Sequence, residues 1–304
     1  MSKSVPQDQG ISAMWWSAKN PPKDPQTSFA GKTVLITGAN VGLGFEAALK
    51  FAALRAFRLI LGVRRIQSGE EAKEQICQRT GYDAADVKIY QLDMSSFKSV
   101  KSFAEAITEK EPRLDAAVLN AGMAAPCYQL SPNQYEMSLQ VNVLSTALLA
   151  VSLYPKLQKS AQLSGSPSHL EMVGSVGHRM VKCTTFDEVL DANTSILEHV
   201  NDKAYFHIQA TYCATKLLLM YVMDGLVSAA NAQKSEDVII TICCPNLCRT
   251  SIGRDFNWLM NAGNHLFQLV FARTAEEGSR ILVSGATLGK DAHGQFWSHD
   301  VFDK

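Results

Sequence analysis

Thr33-Val34-Leu35-Ile36-Thr37-Gly38-Ala39-Asn40-Val41-Gly42-Leu43-Gly44 reads as a buried strand that turns through three glycines straight into a helix. Such a turn suits a pyrophosphate. Gly38 allows the tight turn, Gly42 lets backbone N–H groups approach the phosphates, and Gly44 lets the helix that begins near Leu43 sit close on the strand. The helix presents its positive N-terminus to the anion. Context makes the reading specific, because Val34-Leu35-Ile36 supplies an apolar strand and Phe45-Glu46-Ala47-Ala48-Leu49-Lys50-Phe51 a helical run. Asn40 and Leu43, inside the turn, join the glycines as candidate nucleotide contacts.

The spacing is Gly-x-x-x-Gly-x-Gly, and with Thr37 in front it resembles the short-chain dehydrogenase/reductase family. A member of that family should next offer an Asn-Ala-Gly after the fourth strand, an Asn in the following helix, a Ser after the fifth strand and a Tyr-x-x-x-Lys. The chain supplies them in order as Asn120-Ala121-Gly122, Asn142, Ser175 and Tyr212-Cys213-Ala214-Thr215-Lys216. Arg273-Thr274-Ala275-Glu276-Glu277-Gly278 and Gly294-Gln295-Phe296-Trp297 resemble the retinol-dehydrogenase-like branch. The entry Ser28-Phe29-Ala30-Gly31-Lys32 is similar to fungal members encoded with polyketide and other secondary-metabolite pathways. The resemblance covers about residues 29 to 300 and does not identify the substrate.

At 304 residues, 46% hydrophobic and 19% charged, the chain can bury one large α/β core. Lys plus Arg and Asp plus Glu both number 29, with no basic run, which argues against a nucleic-acid partner. Cys77, Cys127, Cys183, Cys213, Cys243, Cys244 and Cys248 are scattered, without Cys-x-x-Cys or a His at metal-ligand spacing. They read as reduced structural residues, and no metal is expected. Neighbours Cys243 and Cys244 fall in a strand and should point to opposite faces. No run of about 18 apolar residues and no signal-peptide pattern is apparent, so a cytoplasmic protein without a transmembrane segment is expected.

Apolar runs alternate with helical patterns, as crossover helices on a parallel sheet require. After the first strand we place strands at Arg58 to Val63, Val87 to Leu92, Asp115 to Asn120, His169 to Gly174, Val238 to Cys244 and Gln295 to Trp297. Long helices are expected at about 132–158, 205–231 and 274–288. The predicted fold is a single-domain α/β, Rossmann-type, doubly wound parallel sheet of seven strands with helices on both faces. Its domain spans 29–304, and residues 1–28 form an extension that packs through Trp15 and Trp16. A membrane-surface role for that pair is disfavoured by Pro21-Pro22, which break a long amphipathic helix.

The second strand ends in Gly62-Val63-Arg64-Arg65, where such folds read the adenosine ribose. Two arginines offer forked donors for a 2′-phosphate, and no carboxylate is present to select a free hydroxyl, so NADP(H) is the expected cofactor. The resemblance matches Arg64 to the basic residue of NADP-preferring members and Asp93 to the acidic residue that meets the adenine amino group. It places Asn120, Ala121 and Gly122 under the nicotinamide ribose. Met94, Pro245, Asn246, Cys248 and Thr250 complete the cofactor contacts it implies.

Tyr212 and Lys216 at i, i+4 share a helical face, so the ammonium can lie beside the phenol. A phenol titrates near pH ~10; bringing it to neutrality favours the phenolate by about 4 kcal/mol, and a nearby cation supplies stabilisation of that kind. The resemblance implies that Tyr212 moves the proton, Lys216 also holds the nicotinamide ribose, Ser175 hydrogen-bonds the substrate oxygen and Asn142 anchors a proton-relay water.

Two departures from the family pattern stand out. Pro245-Asn246 replaces the usual Pro-Gly, although asparagine tolerates φ > 0 better than most residues. The stretch from Ser175 to Tyr212 is long, and residues 180–203, with Phe186, Leu190, Ile196 and Leu197, read as an inserted lobe near the pocket mouth. Residues 251–271 mix Ile252, Phe256, Trp258, Leu259, Met260, Leu266 and Phe267 with Gly253 and Gly263, as a substrate lid would, or as a core or dimer segment would. The expected activity is reduction of a ketone or aldehyde on a mostly apolar small molecule, or the reverse alcohol oxidation. A dehydratase, epimerase or cyclase on the same scaffold and an NADP(H)-sensing binding protein stay open, as does a homodimer.

Overall fold

The computed structural model describes residues 10–187, 189, 195–249 and 267–303. Thr33–Thr37 (β1), Arg58–Val63 (β2), Val87–Gln91 (β3), Ala116–Leu119 (β4), Ser168–Val173 (β5), Val238–Cys244 (β6), Gln295–Ser298 (β7) and Val301–Asp303 (β8) form one sheet in the order β3-β2-β1-β4-β5-β6-β7-β8. The strands pair in parallel up to β7. Every residue of β1, β5 and β6 is buried, as expected of strands covered on both faces.

Helices Ile11–Lys19 (α1), Gly42–Ala53 (α2), Ile66–Thr80 (α3), Phe97–Lys110 (α4), Met137–Ser164 (α5), Ile196–Asn201 (α6), Ile208–Ala232 (α7) and Ala275–Gly285 (α8) surround it. Strand alternation splits the core into two layers. Val34, Ile36, Leu59 and Leu61 pack with Phe51 and Ile76 of α2 and α3 and with Ile281 of α8. Leu35, Ile60 and Ile240 pack on the other face with Phe103 of α4, Leu149 and Leu153 of α5 and Leu219 of α7. Cys243 belongs to the first layer and Cys244 to the second, as alternation requires.

One expectation needs correction. The sheet has eight strands among the described residues, not seven, because β8 returns antiparallel on β7 with Trp297 opposite Phe302. The connecting His299 and Asp300 have φ of 52° and 61°, the conformation that a two-residue hairpin needs. Asn-Gly is the usual signal for such a turn, so His-Asp did not announce it. Also, α5 and α7 are long and apolar enough by composition to cross a bilayer, which no contiguous apolar run revealed. Both are core helices, packed on the second layer.

The N-terminal extension does pack on the domain, but through one member of its aromatic pair. Trp16 meets His299 edge-on at 5.2 Å, whereas Trp15 is 51% exposed. The segment 180–203 contributes Phe186, Val189 and Val200 to a third apolar cluster with Leu139 and Val143 of α5 and Ala214 and Leu218 of α7. Leu190 lies outside the described residues, as do residues 251–266 of the expected lid.

Candidate active site

The C-terminal ends of the parallel strands open into a cavity of about 750 Å³, within the roughly 300–1,000 Å³ usual for small-molecule sites. One end is the glycine turn. Gly38 and Gly42 adopt φ of 67° and 60°, and a side-chain carbon on Gly44 would meet Gly38 O and Asn120 Nδ2, both at 2.6 Å. The turn therefore has room for backbone alone. Asn120 Nδ2 donates to Thr37 O at 2.9 Å, and Thr37 Oγ1 accepts from Ala121 N at 2.9 Å, fastening the β4 loop to β1. Gly38, Asn40, Gly42, Leu43, Asn120, Ala121 and Gly122 all line the cavity, a cradle that fits a dinucleotide phosphate.

Ser175, Tyr212 and Lys216 line the same cavity. Ser175 follows the end of β5 after one residue, Gly174, and caps a short 3₁₀ turn, its Oγ accepting from Gly177 N at 3.0 Å. Tyr212 and Lys216 share a face of α7, with Nζ 5.7 Å from the phenol ring centre. Nζ donates to Val173 O at 2.8 Å, which ties the helix to the end of β5. Asn142 sits in a π-helical turn over Gln140–Ser145, a widening common at functional sites. Its Oδ1 accepts from Met123 N at 2.9 Å, and its Nδ2 donates to Met123 O at 2.8 Å and to Thr215 Oγ1 at 3.1 Å. Its amide is thus engaged at both ends, which holds the 123 turn against α7.

Burial governs the ionisation of this group. Desolvation lowers Lys216 to about 8. It also raises the Tyr212 phenol, against a downward pull from the Ser175 hydroxyl. The expected net lowering of that phenol by Lys216 is not what this chain's own residues produce. The ammonium is hydrogen-bonded to Val173 O, and desolvation is the largest influence on the phenol.

Arg64 is exposed and lines the far end of the cavity. Arg65, also exposed, is not brought to the cavity wall; it sits at the N-cap of α3, its carbonyl accepting from Ser68 Oγ at 2.7 Å. Asp93 and Met94 line the wall between, and Asp93 Oδ1 accepts from Ser95 N and Oγ at 2.9 and 2.7 Å. Pro245, Asn246 and Cys248 line the opposite side, and Thr250 lies outside the described residues. Asn246 has φ of 62° and its Nδ2 donates to Ser298 Oγ at 3.1 Å. The side chain that replaces the usual glycine is therefore tied back to β7, and the turn is kept.

Sequence reasoning missed several wall residues. Met123, Met137 and Met180 join Met94, and Ala13, Met14 and Ser17 come from α1, with Gln268 and His299 beside them. None carries a motif. The Met14-Trp15-Trp16 cluster was the only local signal that the extension packs at all.

A family model described as short chain dehydrogenase matches residues 32–166. The short-chain dehydrogenase/reductase ffsI of Aspergillus flavipes is 52% identical over 297 residues, covering 98% of this chain and 85% of that one. The short-chain dehydrogenase/reductase phmF of Phaeosphaeria nodorum is 48% identical over 298 residues, covering 98% and 86%. Among solved structures, a protein from Beutenbergia cavernae described as an NAD(P)-dependent gluconate 5-dehydrogenase, with bound NADP, superposes with a TM-score of 0.67 at 18% identity, covering 91% of this chain and 98% of that one. A short-chain dehydrogenase of Escherichia coli complexed with NADPH gives 0.65 at 20% identity, covering 91% and 100%. At these identities the superpositions speak to the fold.

Proposed function

The chain belongs to the short-chain dehydrogenase/reductase family, and from that premise we propose that it is an NADPH-dependent reductase of a ketone or aldehyde carbonyl on a mostly apolar small molecule. The observation that carries this reading is one continuous cavity with a phosphate cradle at its centre, Arg64 at one end and Ser175, Tyr212 and Lys216 at the other. The guanidinium of Arg64 suits a 2′-phosphate, and the NADP-bound and NADPH-bound structural neighbours agree with that choice. When bound, the cofactor supplies the hydride.

The chain's own residues handle the oxygen. Ser175 Oγ donates to the carbonyl oxygen and orients it, and Tyr212 delivers the proton as negative charge develops there. Lys216 holds its ammonium beside the phenol, so a phenolate left behind is stabilised. Asn142 is a positioning residue that keeps the 123 turn and Thr215 in register with Tyr212. The relay water expected of Asn142 would share those engaged atoms or use its main chain.

Met123, Met137 and Met180 line the cavity outside the assigned cofactor contacts, flexible and polarisable side chains that accommodate bulky apolar shapes. With relatives from fungi at 48–52% identity, a polyketide-like secondary-metabolite ketone is the substrate class we assign. Loss of NADPH absorbance on addition of a panel of apolar ketones and aldehydes tests the reading. Turnover with NADPH and little with NADH is expected, and carbonyl-free conversion of such compounds without NADPH consumption would favour a dehydratase or epimerase instead.

A further inference from the structure

The N-terminal helix α1 is joined to the cavity in a way the glycine turn and the Tyr-Lys pair do not require. Arg273 is 1% exposed and its guanidinium donates to Ser17 O at 2.9 Å, Asn20 O at 2.8 Å, Pro245 O at 3.3 Å and His299 Nδ1 at 2.8 Å. Its acceptors are neutral, and no carboxylate lies within ion-pair distance of it among the described residues. One buried cation thus binds the end of α1 to the Pro245 loop and to the β7–β8 hairpin. Beside it, Ser17 is 5% exposed and lines the cavity together with Leu43, Leu247 and Cys248, yet its Oγ has no hydrogen-bond partner. A buried hydroxyl left without a partner is destabilising, so a native one calls for an explanation.

We propose that α1 is an additional wall of the dinucleotide site and that Ser17 Oγ donates a hydrogen bond to a diphosphate oxygen of the bound cofactor. The inference rests on the NADPH reading above. Ser17 lines the same cavity as the N-terminus of α2, which suits a diphosphate, and as the loop after β6. The guanidinium of Arg273 behind it meets only neutral acceptors, with Glu277 and Asp300 acting on it through space alone, and so favours an anion there. The hydroxyl is a donor in need of an acceptor, and a phosphate oxygen is a strong one. On binding, the cofactor also gains a contact that links residues 11–19 to the rest of the site, so α1 should be held more tightly in the complex.

The experiment compares wild type with Ser17→Ala and Ser17→Leu by NADPH titration, thermal melting without nucleotide, and tryptic cleavage at Lys19. Because Ser17 Oγ is unpartnered in the free chain, Ser17→Ala should leave the nucleotide-free Tm unchanged or slightly higher while weakening NADPH about three- to tenfold. Ser17→Leu, which fills the space, should weaken it further. Adenosine 2′-phosphate, which lacks the diphosphate, should bind wild type and Ser17→Ala equally, and NADPH should slow cleavage at Lys19 in wild type. Unchanged NADPH affinity in both variants overturns the inference and leaves the reductase reading standing. Equal weakening of adenosine 2′-phosphate, or a lowered nucleotide-free Tm, also overturns it, because Ser17 would then be structural. A wild-type chain that does not bind NADPH removes both readings.

Discussion

Lys216 of α7 and Glu171 of β5 are both buried ionisable groups, one reaching the C-terminal end of β5 at Val173 and one in the interior of the sheet. Lys216 reaches Val173 O and faces the cavity. Glu171 is fully buried, and no nitrogen or oxygen donor reaches either carboxylate oxygen among the described residues. Burial drives both toward neutrality, from opposite directions, Lys216 down to about 8 and Glu171 up to about 8. The neighbouring Cys243 thiol, a weak donor, offsets the rise of Glu171 only in part. At the edge the strands end and a ligand can restore what burial took from the charge. In the interior the space is closed, since a side-chain carbon on Gly285 would lie 2.6 Å from Glu171 Oε2. The same desolvation thus makes a reactive group at one place and a neutral, space-filling acid at the other.

The largest effect expected at the edge is for Tyr212→Phe, which should keep NADPH binding and lower turnover by roughly 10²–10⁴-fold. Near wild-type turnover on the true substrate would deny the edge its chemistry and erase the contrast with Glu171. Arg64→Asp should weaken NADPH relative to NADH by about 2–4 kcal/mol, because it replaces a charge-assisted pair with repulsion. Titrations showing equal loss for both nucleotides would place the 2′-phosphate elsewhere.

In the interior, Glu171→Gln separates burial from charge. The folded carboxyl titrates near 8 and the unfolded one near 4.5. Between those values the unfolded chain has released a proton that the folded chain keeps. The contribution of Glu171 to stability is therefore fully present below 4.5 and is lost as pH rises toward 8, by up to about 1.4 kcal/mol per pH unit. Urea unfolding should show Glu171→Gln close to wild type at pH ~4.5 and more stable at pH ~8; parallel profiles would mean that Glu171 is ionised in the fold. The smallest change is expected for Asn246→Gly, which relieves a left-handed φ and loses the bond to Ser298, leaving stability within about 1 kcal/mol and turnover intact. A large loss of turnover would give that side chain a role at the edge.

The edge was largely legible from the sequence, and the interior was not. Glycine spacing, an apolar strand and an i, i+4 pair are local patterns, so Gly38, Ser175, Tyr212 and Lys216 could be named and their joint presence in one cavity expected. Glu171 stands in an apolar strand with no motif around it, and its close surroundings are set by Gly285, distant in the chain. Arg65 failed to reach the wall where its neighbour Arg64 did, because successive residues at a strand end point different ways and α3 begins there.

By itself the sequence determined the alternation of strand and helix, the phosphate turn and the candidate side chains for the chemistry, because each is set by backbone sterics or by a spacing of a few residues. The tertiary structure decided the rest. Ser17 and Arg273 meet across 256 positions, β8 folds back through a His-Asp turn that Arg273 and Lys23 hold in place, and desolvation sets the charge of Lys216 and Glu171. Burial and long-range contact are properties of the packed chain, and no short window of sequence contains them.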